Sequence, residues 1–287
     1  MTGLVSFLLL ATASATAPPS VATWEKIFEV QGGREMWISA AYAESRDDWF
    51  AVGRWGVSRN TKEGINKQET PGKAVLGLFV DGHDVFALGD NELILRFNGK
   101  TWIEEHVGPK PKRKGRGADL LTFGYRLDDA NGSNLVVMGP WLVLVRERDN
   151  TWRLPGESER QRLEDIGQAG PRLPLPGGCA QAGWFWLGHK KGFLACHDGR
   201  SFIVDDQKVT PKGKLPRACT RAFNAVATGQ NEVFANCGPG KVWKTDADGW
   251  HLFATFKGEK ELPSLSVTAD CVFVGGRQKL WRSCTSR

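Results

Sequence analysis

A degenerate internal repeat limits the folds open to this chain of 287 residues more than any other feature. One copy, Asp84–Trp102, reads DVFALGDNELILRFNGKTW: an apolar strand ending at glycine, a turn, a second apolar strand, a glycine turn and Thr-Trp. Full or partial copies occupy residues 48–58, 134–152, 183–202, 232–250 and 271–282. The turn positions that we align are Gly53, Gly89, Gly139, Gly188, Cys237 and Gly276. They recur at intervals of about 36 to 50 residues, and a four-stranded propeller blade takes about 40–50 residues.

A further apolar segment precedes several copies and supplies the fourth strand that a blade requires. Examples are Ala74–Val80, Leu120–Arg126 and Ala222–Ala227. Each blade would then contain an inner strand, two middle strands and an outer strand carrying tryptophan. The 34 glycines and 15 phenylalanines suit pleated strands joined by tight turns. Glu157–Ile166 is the best helix candidate in this all-β pattern.

The two ends of the chain complement each other. The last copy stops at Cys284–Arg287, where an outer strand should begin, and Thr23–Phe28 near the other end resembles the outer strand at Thr101–Ile103. We therefore predict a single β-propeller of about six four-stranded blades, closed by the N-terminal strand. Five or seven blades also fit the spacing. An open β-solenoid or two β-sandwiches are alternatives, but neither explains the displaced strand. Three outer-strand tryptophans are predicted to pack between blades: Trp102, Trp152 and Trp250.

The N-terminal segment predicts export. Leu4–Ala11 is apolar, small residues follow through Ala17, and cleavage would follow Ala15 or Ala17. The segment departs from the usual pattern because no Lys or Arg precedes the apolar run. It is short for a membrane span. We expect residues 1–17 to be a signal peptide, residues 18–287 to form the propeller, and the protein to be secreted or periplasmic.

Six cysteines, all in the C-terminal half, agree with export. They allow fifteen pairings, and reduced core thiols in a cytosolic protein are the alternative. We predict pairing between sequence neighbours inside single repeats: Cys179–Cys196, Cys219–Cys237 and Cys271–Cys284.

The turns that lead into the outer strands resemble the repeats of secreted bacterial propellers, including the Asp-box (BNR) type and the photosystem II assembly factor-like type. The matching segments are Asn98–Trp102, Asp149–Trp152, His197–Phe202 and Asp246–Trp250. Only the latter part of the Asp-box pattern is present. In that family the motif stabilises a turn, so the resemblance implies a fold and not an activity.

Catalytic motifs are weak or absent in the sequence. It contains no Gly-x-Ser-x-Gly turn, no phosphate-binding Gly-Lys-Ser/Thr loop and no His or Cys spacing typical of metal ligands. We expect no cofactor and no metal. A sialidase-like glycosidase would need a tyrosine nucleophile, and Tyr42 and Tyr125 are the two tyrosines of the chain.

Two features suggest binding surfaces. The loop between the second and third blades carries the basic residues Lys110, Lys112, Arg113, Lys114 and Arg116, which fit a solvated loop or an anionic partner such as an acidic glycan. Trp55 and Trp141 lie in or beside turns, where aromatic residues often face a ligand. The net charge of +6 is too mild to require nucleic acid. The sequence favours an exported, non-catalytic scaffold for a protein or envelope partner, and a carbohydrate-binding or glycoside-hydrolysing propeller is the alternative.

Overall fold

The computed structural model describes residues 23–31, 38–68, 70, 74–105, 107, 120–129, 132–140, 142–169, 179, 181–188, 191–205, 208–219, 225–228 and 232–285. This part of the chain forms 24 strands, one α-helix (α1, Glu157–Ala169) and a short 3-10 helix at Arg217–Cys219. The first twelve strands are β1 (Glu25–Glu29), β2 (Ala40–Ala43), β3 (Trp49–Gly53), β4 (Gly56–Thr61), β5 (Gly64–Gln68), β6 (Val75–Asp81), β7 (Asp84–Gly89), β8 (Ile94–Phe97), β9 (Trp102–Glu104), β10 (Phe123–Asp129), β11 (Gly132–Met138) and β12 (Val143–Arg146). The others are β13 (Trp152–Arg153), β14 (Gln181–Gly188), β15 (Lys191–Cys196), β16 (Arg200–Asp205), β17 (Lys208–Lys214), β18 (Ala225–Thr228), β19 (Val233–Asn236), β20 (Lys241–Asp246), β21 (Gly249–Thr255), β22 (Ser264–Val267), β23 (Cys271–Gly275) and β24 (Lys279–Cys284).

These strands form six antiparallel four-stranded sheets, which are the blades of a β-propeller. Blades 1 to 5 are consecutive quartets from β2 to β21, and blade 6 combines β22–β24 with β1. The first strand of each blade contacts the first strand of the next, and β22 contacts β2, so the inner strands form a closed ring. We call the side at which each inner strand begins the front face, and the opposite side the back face.

The N-terminal strand completes the last blade, as predicted. β1 pairs antiparallel with β24, with Glu25 opposite Arg282 and Glu29 opposite Lys279. The ring is thereby closed with hydrogen bonds between the two ends of the chain, which removes a long exposed edge.

The outer-strand tryptophans pack between blades, which confirms their predicted role. The rings of Trp102, Trp152 and Trp250 lie 5.6, 6.3 and 5.9 Å from a phenylalanine ring of the preceding blade. Trp24, just before β1, repeats the arrangement with Phe253 at 5.7 Å. Aromatic pairs in this geometry add to the burial of apolar area.

The three disulfides of the structure join the pairs expected from the sequence: Cys179–Cys196, Cys219–Cys237 and Cys271–Cys284. In blades 4 and 5 each bond ties the segment before the inner strand to the end of the second strand. In blades 2 and 3 the corresponding two segments approach each other closely through their backbones. A Cβ added at Gly89 would lie 2.0 Å from Ala74 O, and one added at Gly139 would lie 1.6 Å from Leu120 O. In blade 6 the disulfide joins paired residues of β23 and β24.

The alignment of residues 183–202 with the two middle strands and the outer strand is wrong. β14, at Gln181–Gly188, is the inner strand of blade 4, and Phe202 lies in β16, the third strand. The counterpart of Gly89 is therefore Cys196 and not Gly188. The shift arises because successive hairpins look alike in sequence, while α1 and its connection lengthen the approach to blade 4. The partial copy at residues 48–58 also continues further than predicted, since β5 supplies an outer strand without tryptophan.

Candidate functional site in the central channel

The inner strands surround a cavity of about 640 Å³ on the axis of the ring. Each inner strand hydrogen-bonds to one neighbour in its sheet, so its other edge faces the channel. The lining includes Asp81, Thr228 and Val267, the last residues of β6, β18 and β22, so the cavity extends to the back face. Its volume is in the range of pockets that hold small ligands or short chain segments.

A row of four aromatic side chains forms the wall at blades 3 and 4. Tyr125 stacks on Trp186 with centroids 4.8 Å apart and an interplanar angle of 6°. Phe123 extends the row on one side at 6.5 Å, and Trp184 meets Trp186 edge to face at 5.4 Å. All four residues line the cavity. We call them the aromatic row.

Small and aliphatic residues predominate on the rest of the ring from blade 5 to blade 1, where Tyr42 also lines the cavity. They come from blades 5, 6 and 1, namely Val226, Ala227, Thr228, Leu265, Ser266, Val267 and Ala41. Ser266 also accepts a hydrogen bond from the backbone N–H of Ala43 at 3.1 Å, which fixes blade 6 against blade 1. The cavity therefore has a broad aromatic wall at blades 3 and 4 and mainly small or aliphatic side chains, together with Tyr42, on the facing side.

Asp81 and Arg126 are the ionised residues among the described lining of the cavity. The Arg126 guanidinium donates Nε–H to Asp81 Oδ1 at 2.6 Å and Nη2–H to Asp81 Oδ2, and its Nη1 donates to Ser133 Oγ at 2.6 Å. The bidentate pair joins blade 2 to blade 3 and satisfies both charges. The channel thus presents no uncompensated charge among its described residues.

Both tyrosines line the cavity and are kept protonated. Burial raises the pKa of Tyr125, whose hydroxyl donates to Leu163 O at 2.8 Å. Burial, followed by the nearby Glu44 and Asp48 carboxylates, raises the pKa of Tyr42. A nucleophilic tyrosine would need the opposite shift. The arrangement therefore offers no activated phenolate.

Helix α1 supports the aromatic row from behind. Trp186 Nε1 donates to Gly167 O at 3.3 Å, and Tyr125 is held through the helix carbonyl at Leu163. The helix is fixed at its start because Arg153, the last residue of β13, donates to both carboxylate oxygens of Glu159 at 2.8 and 2.9 Å. The Arg153 guanidinium lowers the pKa of Glu159 and keeps this contact charged.

Of the predicted binding residues, Trp55 lies within the described part of the chain and is not among the residues that line the cavity. Trp55 is half-buried in the β3–β4 turn on the front face, where its ring lies 6.3 Å from Phe28 and its Nε1 donates to Ser58 Oγ at 3.3 Å. Trp141 lies outside the described residues. So does the basic segment with Lys110, Lys112, Arg113, Lys114 and Arg116.

The sequence indicated Tyr42 and Tyr125 as candidates for a glycosidase nucleophile but did not indicate the aromatic row. The dense aromatic spacing of Gly183–Leu187 was the available signal. It was assigned to a middle strand, whereas β14 is an inner strand. The shift in register accounts for the omission.

The Asp-box-like segments form turns, in agreement with their expected role. Asn98 Oδ1 accepts from Thr101 N at 2.8 Å, and Asp149 Oδ1 accepts from Thr151 N at 3.0 Å. The Thr151 hydroxyl and amide lower the pKa of Asp149. None of these turn residues lines the cavity.

The described residues contain no cluster of His, Cys, Asp and Glu suited to a metal. Within the same residues, no helix is long and apolar enough to cross a membrane.

No family model matches the chain, and no curated protein matches it. Solved structures of similar fold include a streptogramin B lyase, with 13% identity over 91% of this chain and 97% of that one at a TM-score of 0.60. Virginiamycin B lyase from Staphylococcus aureus is 10% identical over 92% and 99%, with a TM-score of 0.53. YCF48 bound to D1 peptide is 14% identical over 92% and 97%, with a TM-score of 0.50. At these identities the likeness establishes the propeller fold alone.

Proposed function

We propose that this chain is an exported, non-catalytic scaffold that holds an extended, apolar segment of a protein or envelope partner in its central channel. The observation that carries the proposal is the composition of the channel wall. The aromatic row lies across the channel from mainly small and aliphatic side chains, with Tyr42 among them, and the one ion pair of the described lining is already satisfied. Such a wall binds through apolar contact and shape.

The edges of the inner strands favour an extended segment as the occupant. Each edge presents backbone N–H and C=O groups toward the channel without a neighbouring strand in its sheet. An extended chain can pair with such groups and place alternate side chains against the two walls. The structurally similar YCF48 was solved with a bound peptide, which makes peptide binding a reasonable expectation for a ring of this kind.

Export is part of the proposal. Three disulfides are typical of proteins that fold in an oxidising compartment. The signal-like segment at residues 1–17 agrees with this. We also retain Trp55, Trp141 and the basic segment Lys110–Arg116 as proposed accessory contacts.

A carbohydrate ligand is the second candidate, because the half-buried side chains of Phe123, Trp184 and Trp186 line the cavity and could contact a sugar ring. Hydrolysis of a glycoside has less support. Two-carboxylate glycosidases place a pair of acids at the scissile bond, and Asp81 is the one carboxylate in the described lining and is held by Arg126. We therefore favour binding over turnover for this candidate as well.

The test is affinity capture from the native envelope and culture medium, with the partners identified by mass spectrometry. Thr228→Trp should fill the cavity at the back face and abolish capture of a stoichiometric protein. Ile65→Trp is the matched control, because Ile65 is 46% exposed on the outer strand of blade 1. Equal capture by both variants would contradict the channel as the site. Recovery of glycan without protein would favour the second candidate.

A further inference from the structure

The outer strands differ in how they are protected against pairing with another chain. Each of the six is the last strand of its sheet and lies within the described residues. Five of them carry charged residues, among them Lys67 in β5, Glu104 in β9 and Lys212 in β17. Strand β21, with the sequence GWHLFAT, contains no Asp, Glu, Lys, Arg or Pro. Charges and proline are the usual means by which proteins prevent edge pairing, and among the described outer strands β21 lacks both. Its first residue lies beside β17 of blade 4, since a Cβ added at Gly213 would lie 3.9 Å from Gly249 Cα.

The side chains of β21 add an exposed apolar surface. Leu252 is 47% exposed, the largest exposure among the large hydrophobic residues of the described chain. Trp250, on the same face by strand alternation, is half-buried, and so is Trp243, which pairs with Leu252. A bulge follows Leu252, where Phe253 turns against Trp24. The regular part of the edge is therefore Gly249–Leu252.

We propose that β21 pairs antiparallel with β21 of a second copy of this chain, forming a twofold dimer. The absence of charge favours self-pairing, because a symmetric pair of β5, β9, β13 or β17, whose charges are all of one sign, would bring like charges together across the axis. Pairing centred on His251 sets Leu252 of one copy opposite Trp250 of the other, which covers the most exposed apolar side chain. A twofold contact of one patch with itself is the commonest form of homo-oligomer. The proposal is independent of the channel, which opens along the ring axis.

The test is sedimentation velocity of the mature protein from low to high micromolar concentration. The wild type should shift from the mass of one chain to that of two as concentration rises, and Leu252→Lys should remain monomeric throughout. Ile103→Lys is the matched control, because Ile103 is 42% exposed on β9 beside Glu104, and it should dimerise like the wild type. Far-ultraviolet circular dichroism should be the same for all three proteins.

A cross-link tests the register. His251→Cys should form an intermolecular disulfide under mild oxidation, whereas Ile103→Cys should not. Two results would overturn the proposal. One is a wild type that remains monomeric over the whole range. The other is a dimer that Leu252→Lys leaves intact and His251→Cys does not trap, since that dimer would use another surface.

Discussion

Glu105 connects blades 2 and 3 through a buried carboxylate, and its replacement tests how the blades are held together. The residue follows β9 and is 8% exposed. Its Oε1 accepts from Arg96 Nε at 2.8 Å and from Arg146 Nη2 at 2.6 Å. Its Oε2 accepts from Trp152 Nε1 at 2.7 Å. One carboxylate thus satisfies two cations and the indole of the outer strand of blade 3.

Glu105→Ala removes all three contacts. Breaking a buried ion pair by deleting one partner costs about 3–5 kcal/mol. The lower end, about 3 kcal/mol, is expected here, because the Arg96 side chain is 28% exposed and also lies 3.7 Å from Asp84. Glu105→Gln keeps an acceptor for the indole but loses the charge, so we expect about 1.5–3 kcal/mol.

The measurement is urea unfolding followed by tryptophan fluorescence, with the disulfides intact. Both variants should lower the midpoint without a large change in slope, and the Ala variant should lower it more. Glu63→Ala, in the exposed β4–β5 turn, is the control and should change stability by no more than about 0.5 kcal/mol. A loss below about 1 kcal/mol for Glu105→Ala would show that the buried carboxylate does not hold the blades together, and the reasoning would then be wrong.

Three further predictions concern the ends of the chain, the tyrosines and the junction of blades 2 and 3. Replacing both Cys271 and Cys284 with Ser should lower the free energy of unfolding by about 3 kcal/mol, because the bond closes a loop with a sequence separation of 13 residues. Calorimetry that shows no loss would contradict this. The two tyrosines should ionise above their ordinary pKa near 10, so the stability that they give is present below that pH and is lost as pH rises through the folded values. Absorbance at alkaline pH measures this, and titration at the ordinary value in the native state would refute it. Gly77→Ala should destabilise by about 1–3 kcal/mol, because its Cβ would lie 2.0 Å from Thr122 O. Gly156→Ala has open space and should be close to neutral in the same denaturation assay.

Much of the fold could be predicted because the repeat, the displaced outer strand and the cysteine spacing are local patterns with direct physical meaning. Apolar strands bounded by glycine turns predict hairpins. A Thr-Trp segment of outer-strand type near the N-terminus, together with a last repeat that lacks its outer strand, indicates that the ring is closed by its two ends. Blade 4 was misaligned because its hairpins resemble one another, and hydrophobic alternation does not say which strand of a blade lies innermost.

The blades also share a pattern of charged and aromatic residues that the glycine-based alignment does not include. Arg59, Arg96 and Lys244 on third strands each lie opposite a phenylalanine of the second strand, and Arg282 does so in blade 6. The first three also face an acid two residues before that phenylalanine, as in the Arg59–Asp48 pair at 2.7 Å. In blade 4 the corresponding residue is Phe193, which lies opposite Ile203. An acid, a phenylalanine and a later basic residue therefore mark blades 1, 2 and 5 but not blade 4.

The channel could not be predicted as a site, because it depends on which residues of six distant strands face one axis. Tyr125 and Trp186 are far apart in the sequence but stack at 4.8 Å. The aromatic content of Gly183–Leu187 was visible in the sequence. Its position in the ring follows only from the sheet order.

The measurement that tests the central claim most directly is site-specific photo-cross-linking in the native cell. A photoreactive phenylalanine analogue would replace Phe123, which is half-buried in the aromatic row, and in a second strain would replace the exposed Ile65 on the rim. We expect one discrete protein adduct from the channel position and none from the rim. An adduct from the rim alone, or none from either position in an envelope that yields a partner by affinity capture, would contradict the channel as the binding site.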